Sequence, residues 1–195
     1  MKKNTTLELI EQSSKVSLYS ISFEMDHTTE FERFMCKFES ESTLNKDYQK
    51  IIYALQWILE NGALERYFRP EGTLADNICA LPIEAGRIRL YCLRISDQIL
   101  IIGNGGIKHT RTYQEDKSLY GYVMDLQKFD CLLRKCVAEG SVCIEEKTIE
   151  GIDDKVFQIN TSVNFYRKFK IKQSSRIRSA QTLKEFIEIL SITVA

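Results

Sequence analysis

Apolar positions in residues 16–25 recur at period two, Val16 and Leu18 first, then Ile21, Phe23 and Met25, with β-branched and aromatic side chains among them. That period predicts a strand. Thr29 followed three residues later by Glu32 makes a capping box, and Phe31, Phe34, Met35 and Phe38 then recur at helical spacing. A short helix should follow the strand. Past a polar break, Tyr48, Ile51, Ile52, Leu55, Ile58 and Leu59 form a second helical stripe, which Asn61-Gly62 stops. The two helices are expected to pack as a hairpin, with their aromatic stripes as core.

Residues 63–86 carry both prolines, Pro70 and Pro82, and read as an irregular connection. Residues 87–95 alternate in type, 96–98 turn the chain, and Ile99, Leu100, Ile101 and Ile102 resume as a buried strand, which predicts a β-hairpin. Gly103-Asn104-Gly105-Gly106 is expected to break the run, with 107–113 as one more strand or a frayed edge. Tyr122, Leu126, Phe129, Leu133 and Val137 predict an amphipathic helix closed by Gly140. Beyond it, 142–149 and 155–159 read as a strand pair around a turn at 151–154. A last helix begins at Thr182 and carries Leu183, Phe186, Ile187 and Leu190. The expectation is an α+β fold over residues 1–140, followed by a C-terminal extension, 141–195, of β-hairpin, basic segment and helix.

Composition narrows the function classes. A chain of 195 residues with 44% hydrophobic content can bury one real core. Lys+Arg and Asp+Glu number 27 each, so any nucleic-acid surface must come from local clustering of charge. The six cysteines, Cys36, Cys79, Cys92, Cys131, Cys136 and Cys143, show no metal-ligand spacing and are expected to be reduced, mostly buried thiols. No metal site and no cofactor are expected. The chain opens without a signal-peptide pattern and holds no apolar run of the roughly 18 residues that would span a bilayer, so a cytoplasmic protein is expected, with no membrane partner.

Charge does cluster locally. From Gly86 to Arg111 the chain carries Arg87, Arg89, Arg94, Lys108 and Arg111 against Asp97, an excess of about four positive charges. Period-two geometry puts Arg87, Arg89 and Tyr91 on one strand face and His109, Arg111 and Tyr113 on another. Lys108 falls opposite unless the glycines introduce a bulge. Farther on, Phe165, Tyr166 and Phe169 interleave with Arg167, Lys168, Lys170 and Lys172, a pattern suited to single-stranded or ribosomal RNA.

The order helix, helix, irregular link, then Gly86-Arg-Ile-Arg-Leu-Tyr91, Ile99-Leu-Ile-Ile-Gly103, Lys108-His-Thr-Arg-Thr-Tyr113 and a helix resembles the RelE/ParE (HigB-like) toxin superfamily over about residues 28–138. The resemblance implies a helical hairpin packed on a small antiparallel sheet. It also implies a metal-independent messenger-RNA endoribonuclease of a type II toxin–antitoxin system, partnered by an antitoxin protein and acting on RNA that can be ribosome-bound. Carried over by position, Arg89 matches the family's strand arginine, while Lys108, His109, Arg111 and Tyr113 match its basic and aromatic cluster. Such a cut needs a base for the ribose 2′-hydroxyl, cations for the phosphorane and an acid for the leaving 5′-oxygen. His109 suits base or acid, Arg89 and Arg111 suit the phosphate, and Tyr113 suits stacking on a splayed base. Arg87, Lys108 and the basic tail would add RNA contacts. No lysine pair stands between the second helix and the hairpin, so the usual base candidates are missing. The other reading is a non-catalytic module of the same fold that binds RNA or protein.

Overall fold

The computed structural model describes residues 2–23, 28–39, 42–71, 77–81 and 86–160. The tail cluster Arg167, Lys168, Lys170 and Lys172 and the helix expected from Thr182 lie outside the described residues.

The fold is α+β. In chain order its main elements are β1 (Lys2–Gln12), β2 (Ser17–Phe23), α1 (Glu30–Phe38), α2 (Asn45–Asn61), β3 (Arg69–Pro70), β4 (Ile78–Ala80), β5 (Ile88–Arg94) and β6 (Ile99–Ile107). Then come α3 (Lys117–Ala138), β7 (Cys143–Ile144), β8 (Ile149–Glu150) and β9 (Phe157–Asn160). One sheet of seven strands runs β3-β4-β5-β6-β2-β1-β9, larger than the small sheet expected. Every neighbour pair is antiparallel except β6 and β2, which run parallel inside the sheet.

The alternation read in β2 and β5 sorts two cores onto opposite faces. Leu18, Leu90, Cys92, Leu100 and Ile102 pack under α1 and α2, against Phe31, Phe34, Tyr48, Ile51 and Leu55. Tyr19, Ile21, Tyr91, Leu93 and Ile101 pack under α3, against Leu119, Val123, Leu126, Phe129 and Leu133. Both expected helices form where their stripes place them. Thr29 and Glu32 complete the capping box of α1, Gly62 ends α2 at φ 88°, and Phe34 meets Tyr48 at 6.4 Å between ring centres.

Several segments depart from expectation for identifiable reasons. Strand β1 has no clean period, because a register shift between Leu9 and Glu11 moves Ile10 inward after Thr5 and Leu7. Gly103-Asn104-Gly105-Gly106 does not break β6, which continues to Ile107. These glycines answer close packing: a Cβ on Gly105 would stand 1.9 Å from the Arg89 carbonyl oxygen, and one on Gly103 would stand 2.8 Å from Leu126 Cδ1. The β5–β6 register shifts between Leu90 and Cys92, which is the bulge that the glycines allow. Residues 108–112 are loop, so strand alternation does not sort their side chains.

Segments 142–149 and 155–159 do not pair with each other. Strands β7 and β8 make their own two-stranded sheet, while β9 joins β1 at the edge of the main one. Val142, Ile149, Phe157 and Ile159 share the core with α3, so residues 141–160 are built into the main body. Of the six thiols only Cys79 and Cys92 are buried, facing each other across β4 and β5. Burial pushes the Cys79 thiol up to about 12.

Candidate functional site

The parallel pair creates a switch point. Strand β2 leads to α1 on one face of the sheet and β6 leads toward α3 on the other, a reversal of the kind beyond which open sheets bind ligands at the carboxyl ends of their strands. Pairing between them stops at Ser20 and Ile102. There the Ser20 hydroxyl donates to the Ile102 carbonyl at 2.7 Å and accepts from the Phe31 amide at 3.2 Å, so α1 takes β2's place beside β6.

That substitution turns one stripe of α1, Glu30, Arg33 and Lys37, toward α3. Glu30 is 4% exposed. It accepts from Asn104 Nδ2 at 2.8 Å, and Arg33 Nε lies 3.4 Å from its other oxygen. Burial raises its pKa, the Asn104 hydrogen bond and the Arg33 charge oppose the shift, and Asp125 reinforces it. Asp125 on α3 is in turn 3.8 Å from Lys3 of β1. Tyr122, one turn earlier on α3, is pushed up to about 12 by burial and by the Glu30 and Asp116 charges.

Lys37 as a whole is exposed, but its ammonium is drawn over the end of β6. Nζ is 3.4 Å from the Gly105 carbonyl oxygen, 5.1 Å from the Phe38 ring centre and 5.8 Å from that of Tyr122. This desolvation lowers its pKa, with Asp116 pulling the other way. Nζ would be 3.5 Å from a Cβ on Gly106, and Gly106 is the register partner of Arg89. Directly opposed residues of an antiparallel pair share a face, so Arg89 leaves the ladder on the face of Gly106 that Leu119 Cδ2, 3.0 Å from such a Cβ, and Lys37 Nζ cover.

The expected site residues divide into three groups. Arg89, Tyr91 and Tyr113 come together: Tyr113 meets Tyr91 edge-on at 6.3 Å, and Arg89 is near enough to pull down a Tyr91 hydroxyl that burial raises. Arg89 Nη1 donates to the Gly86 and Ile88 carbonyls at 2.8 and 2.9 Å, which pins its fork to the start of β5. Tyr113 is 8% exposed and so presents no face for stacking; Tyr120, stacked on it at 6.4 Å and 44% exposed, does. Lys108, His109 and Arg111 lie in the loop that follows β6, with Lys108 half-buried and His109 and Arg111 exposed. Arg87 turns the other way, donating to the Thr43 carbonyl at 2.8 Å beside Asp47 at 3.9 Å.

Sequence reading missed Lys37, Glu30, Asn104 and Tyr120. The signal for Lys37 was its place seven residues after Glu30 on a stripe adjoining the phenylalanines, though nothing local says that this stripe meets another helix. At the start of α3, Asp116 accepts from the Ser118 and Leu119 amides at 2.8 and 3.0 Å. Its carboxylate occupies the helix end, leaving side chains to meet an anion.

The Lys37 ammonium and the Arg89 guanidinium are thus two cations at the same end of the β5–β6 ladder, with Leu119 and Tyr122 packed over Gly106 between the strand and α3. Among the described residues no group of three or more His, Cys, Asp or Glu side chains is placed to hold a metal ion, and no helix is long and apolar enough to cross a membrane. Compared with protein-family models, curated proteins and solved structures, the chain matches none of them.

Proposed function

We propose that this protein binds single-stranded RNA in the switch-point crevice, seating a backbone phosphate between Lys37 and Arg89 and a base on Tyr120. The observation that carries the proposal is that the Lys37 ammonium, 3.4 Å from the Gly105 carbonyl, is drawn to the stretch of β6 that pairs with Arg89, so that two cations belong to one end of the β5–β6 ladder. Lys108 and Arg111 then meet flanking phosphates, and Tyr120 supplies the sequence-tolerant stacking that single strands favour.

A catalytic form of the same reading draws support from Lys37. A lysine whose pKa is lowered by burial is a candidate base for a ribose 2′-hydroxyl, the role left empty in the sequence. The 2′-oxygen would bond to its own 3′-phosphorus, and the bond to the 5′-oxygen would break. Arg89 would hold the charged phosphorane and His109 would protonate the leaving oxygen. The products are a 2′,3′-cyclic phosphate and a 5′-hydroxyl. This is the chemistry of a RelE/ParE-like toxin, for which an antitoxin protein is the implied partner.

One experiment separates the two forms. The full chain is mixed with a labelled 12-nucleotide RNA in EDTA, binding is followed by fluorescence anisotropy, and products are resolved on a gel. Binding that Lys37→Ala and Arg89→Ala each weaken at least tenfold supports the crevice; unchanged affinity in both variants refutes it. New cyclic-phosphate ends that Lys37→Ala abolishes would add the catalytic form, and intact RNA would exclude it.

A further inference from the structure

Among the described residues, the outer face of α2 carries two of the six exposed large hydrophobic side chains. Tyr53 and Trp57, one turn apart, are 46% and 54% exposed, against a helix whose other large apolar side chains are packed inward. Lys46 and Lys50 continue the same stripe toward the helix start, all four falling within a narrow arc of the helical wheel. The stripe from Lys46 to Trp57 runs about 16 Å.

The aromatic end of this stripe is held in place. Asn61 Nδ2 donates to the Trp57 carbonyl at 2.9 Å. Tyr67 takes a hydrogen bond from the Trp57 side chain, which lowers its pKa, and a second from Arg66 Nη2 at 3.2 Å. The Arg66 guanidinium also lies 5.1 Å from the Tyr67 ring centre. The result is an exposed indole tied to the half-buried Tyr67, with Arg66 beside them.

The basic end abuts the crevice. The Lys108 amide donates to the Arg87 carbonyl at 2.6 Å, and Arg87 reaches across to Thr43 and Asp47 at the start of α2. A polyanion leaving Lys37 and Arg89 would therefore pass Lys108 and Arg87, reach Lys46 and Lys50, and arrive at Tyr53 and Trp57. Lys46 and Lys50 make no ion pair with the described residues, so their charge is free to meet phosphates.

We propose that the α2 face is a second stacking platform, which receives the same RNA strand after it leaves the crevice. The occupant is a single strand because the face offers exposed aromatic rings at one end and, at the other, cations without an ion-pair partner among the described residues. The inference rests on the crevice reading and sets the length of strand the protein needs, roughly eight nucleotides, within the range of about 4–16 that single-strand binders cover.

Trp57 is the only tryptophan in the chain, so its fluorescence reports on this face alone. The full-length protein is titrated with oligoadenylates of three and twelve nucleotides while anisotropy and tryptophan emission are read together. The expected result is that the longer strand quenches Trp57 and binds at least tenfold tighter than the shorter. Tyr53→Ala/Trp57→Ala should weaken the longer strand about tenfold, on the scale of base–aromatic stacking, and leave the shorter unchanged. Both positions are exposed, which keeps the variant folded. If the longer strand binds without quenching and the double variant binds as tightly, the platform is refuted while the crevice stands. If Lys37→Ala/Arg89→Ala leaves quenching and affinity intact, the continuous path is overturned. Failure of both strands to bind sinks the crevice and the platform together. A concentration-dependent dimer lost in Tyr53→Ala/Trp57→Ala, with no RNA effect on emission, would instead make the face a contact between copies and overturn the proposal.

Discussion

Glu30 and Lys37 sit on one stripe of one helix, and burial drives their proton affinities in opposite directions, each away from its charged form. For Glu30 the folded state binds the proton more tightly than the unfolded chain does. Its contribution to stability is therefore full below its ordinary value of 4.5 and is lost as pH rises through the raised folded value. Glu30→Gln removes this titration while keeping an oxygen for Asn104. Thermal melts between pH 4 and 7 should show the parent losing ground to Glu30→Gln as pH rises; a gap that does not change with pH would contradict the direction assigned. The sequence announced neither residue. Thr29 and Glu32 were legible because a cap is a local device, whereas the role of Lys37 exists only because β2 and β6 part and let α1 see α3. Arg89 was legible as a strand arginine, but its bonds to the Gly86 and Ile88 carbonyls depend on the backbone path into β5.

At the scale of elements, the β5–β6 ladder is the part whose sequence signal misleads most instructively. Glycine at 105 reads as punctuation, yet it stands where a methyl group would meet the Arg89 backbone. Gly105→Ala should cost about 3 kcal/mol or more in urea unfolding, since backbone cannot yield as a side chain can. Gly140→Ala, at φ 71° in open space, should cost only about 1–2 kcal/mol from its left-handed conformation. Equal losses in the two variants would mean that the close approach does not govern. Helices α1, α2 and α3 were readable because their stripes keep a constant period over several turns. Strand β1 was not, because its bulge changes the period within eleven residues. Segments 142–149 and 155–159 read as partners because a hairpin is the nearest pairing in sequence, and only the open edge of β1 gives β9 a better one.

For the whole molecule, balanced charge decides how RNA binding must behave. With 27 basic and 27 acidic residues there is no long-range pull, so affinity should depend on the few phosphates that local cations touch. If Lys37, Arg89, Lys108 and Arg111 each neutralise one phosphate, the logarithm of affinity should fall with the logarithm of salt at a slope of roughly −3. A slope near zero would rule out phosphate contacts as the source of binding. The tail cluster at 167–172 would steepen the slope, which truncation after residue 160 would reveal.

The pairing of β1 with β9 joins Lys2 to Asn160, opposite ends of the described chain. During synthesis the outer edge of β1 has no partner until residue 160 has been made, a delay on the order of ten seconds at ordinary translation rates. Through that interval a nascent strand with unsatisfied amides is open to other chains. Lys2, Lys3, Glu8 and Glu11, together with the bulge at Ile10, are the features of β1 that discourage such contacts. Among the described strands the last to emerge thus closes the first, and a ribosome that stalls before residue 157 would release a product with a sticky edge.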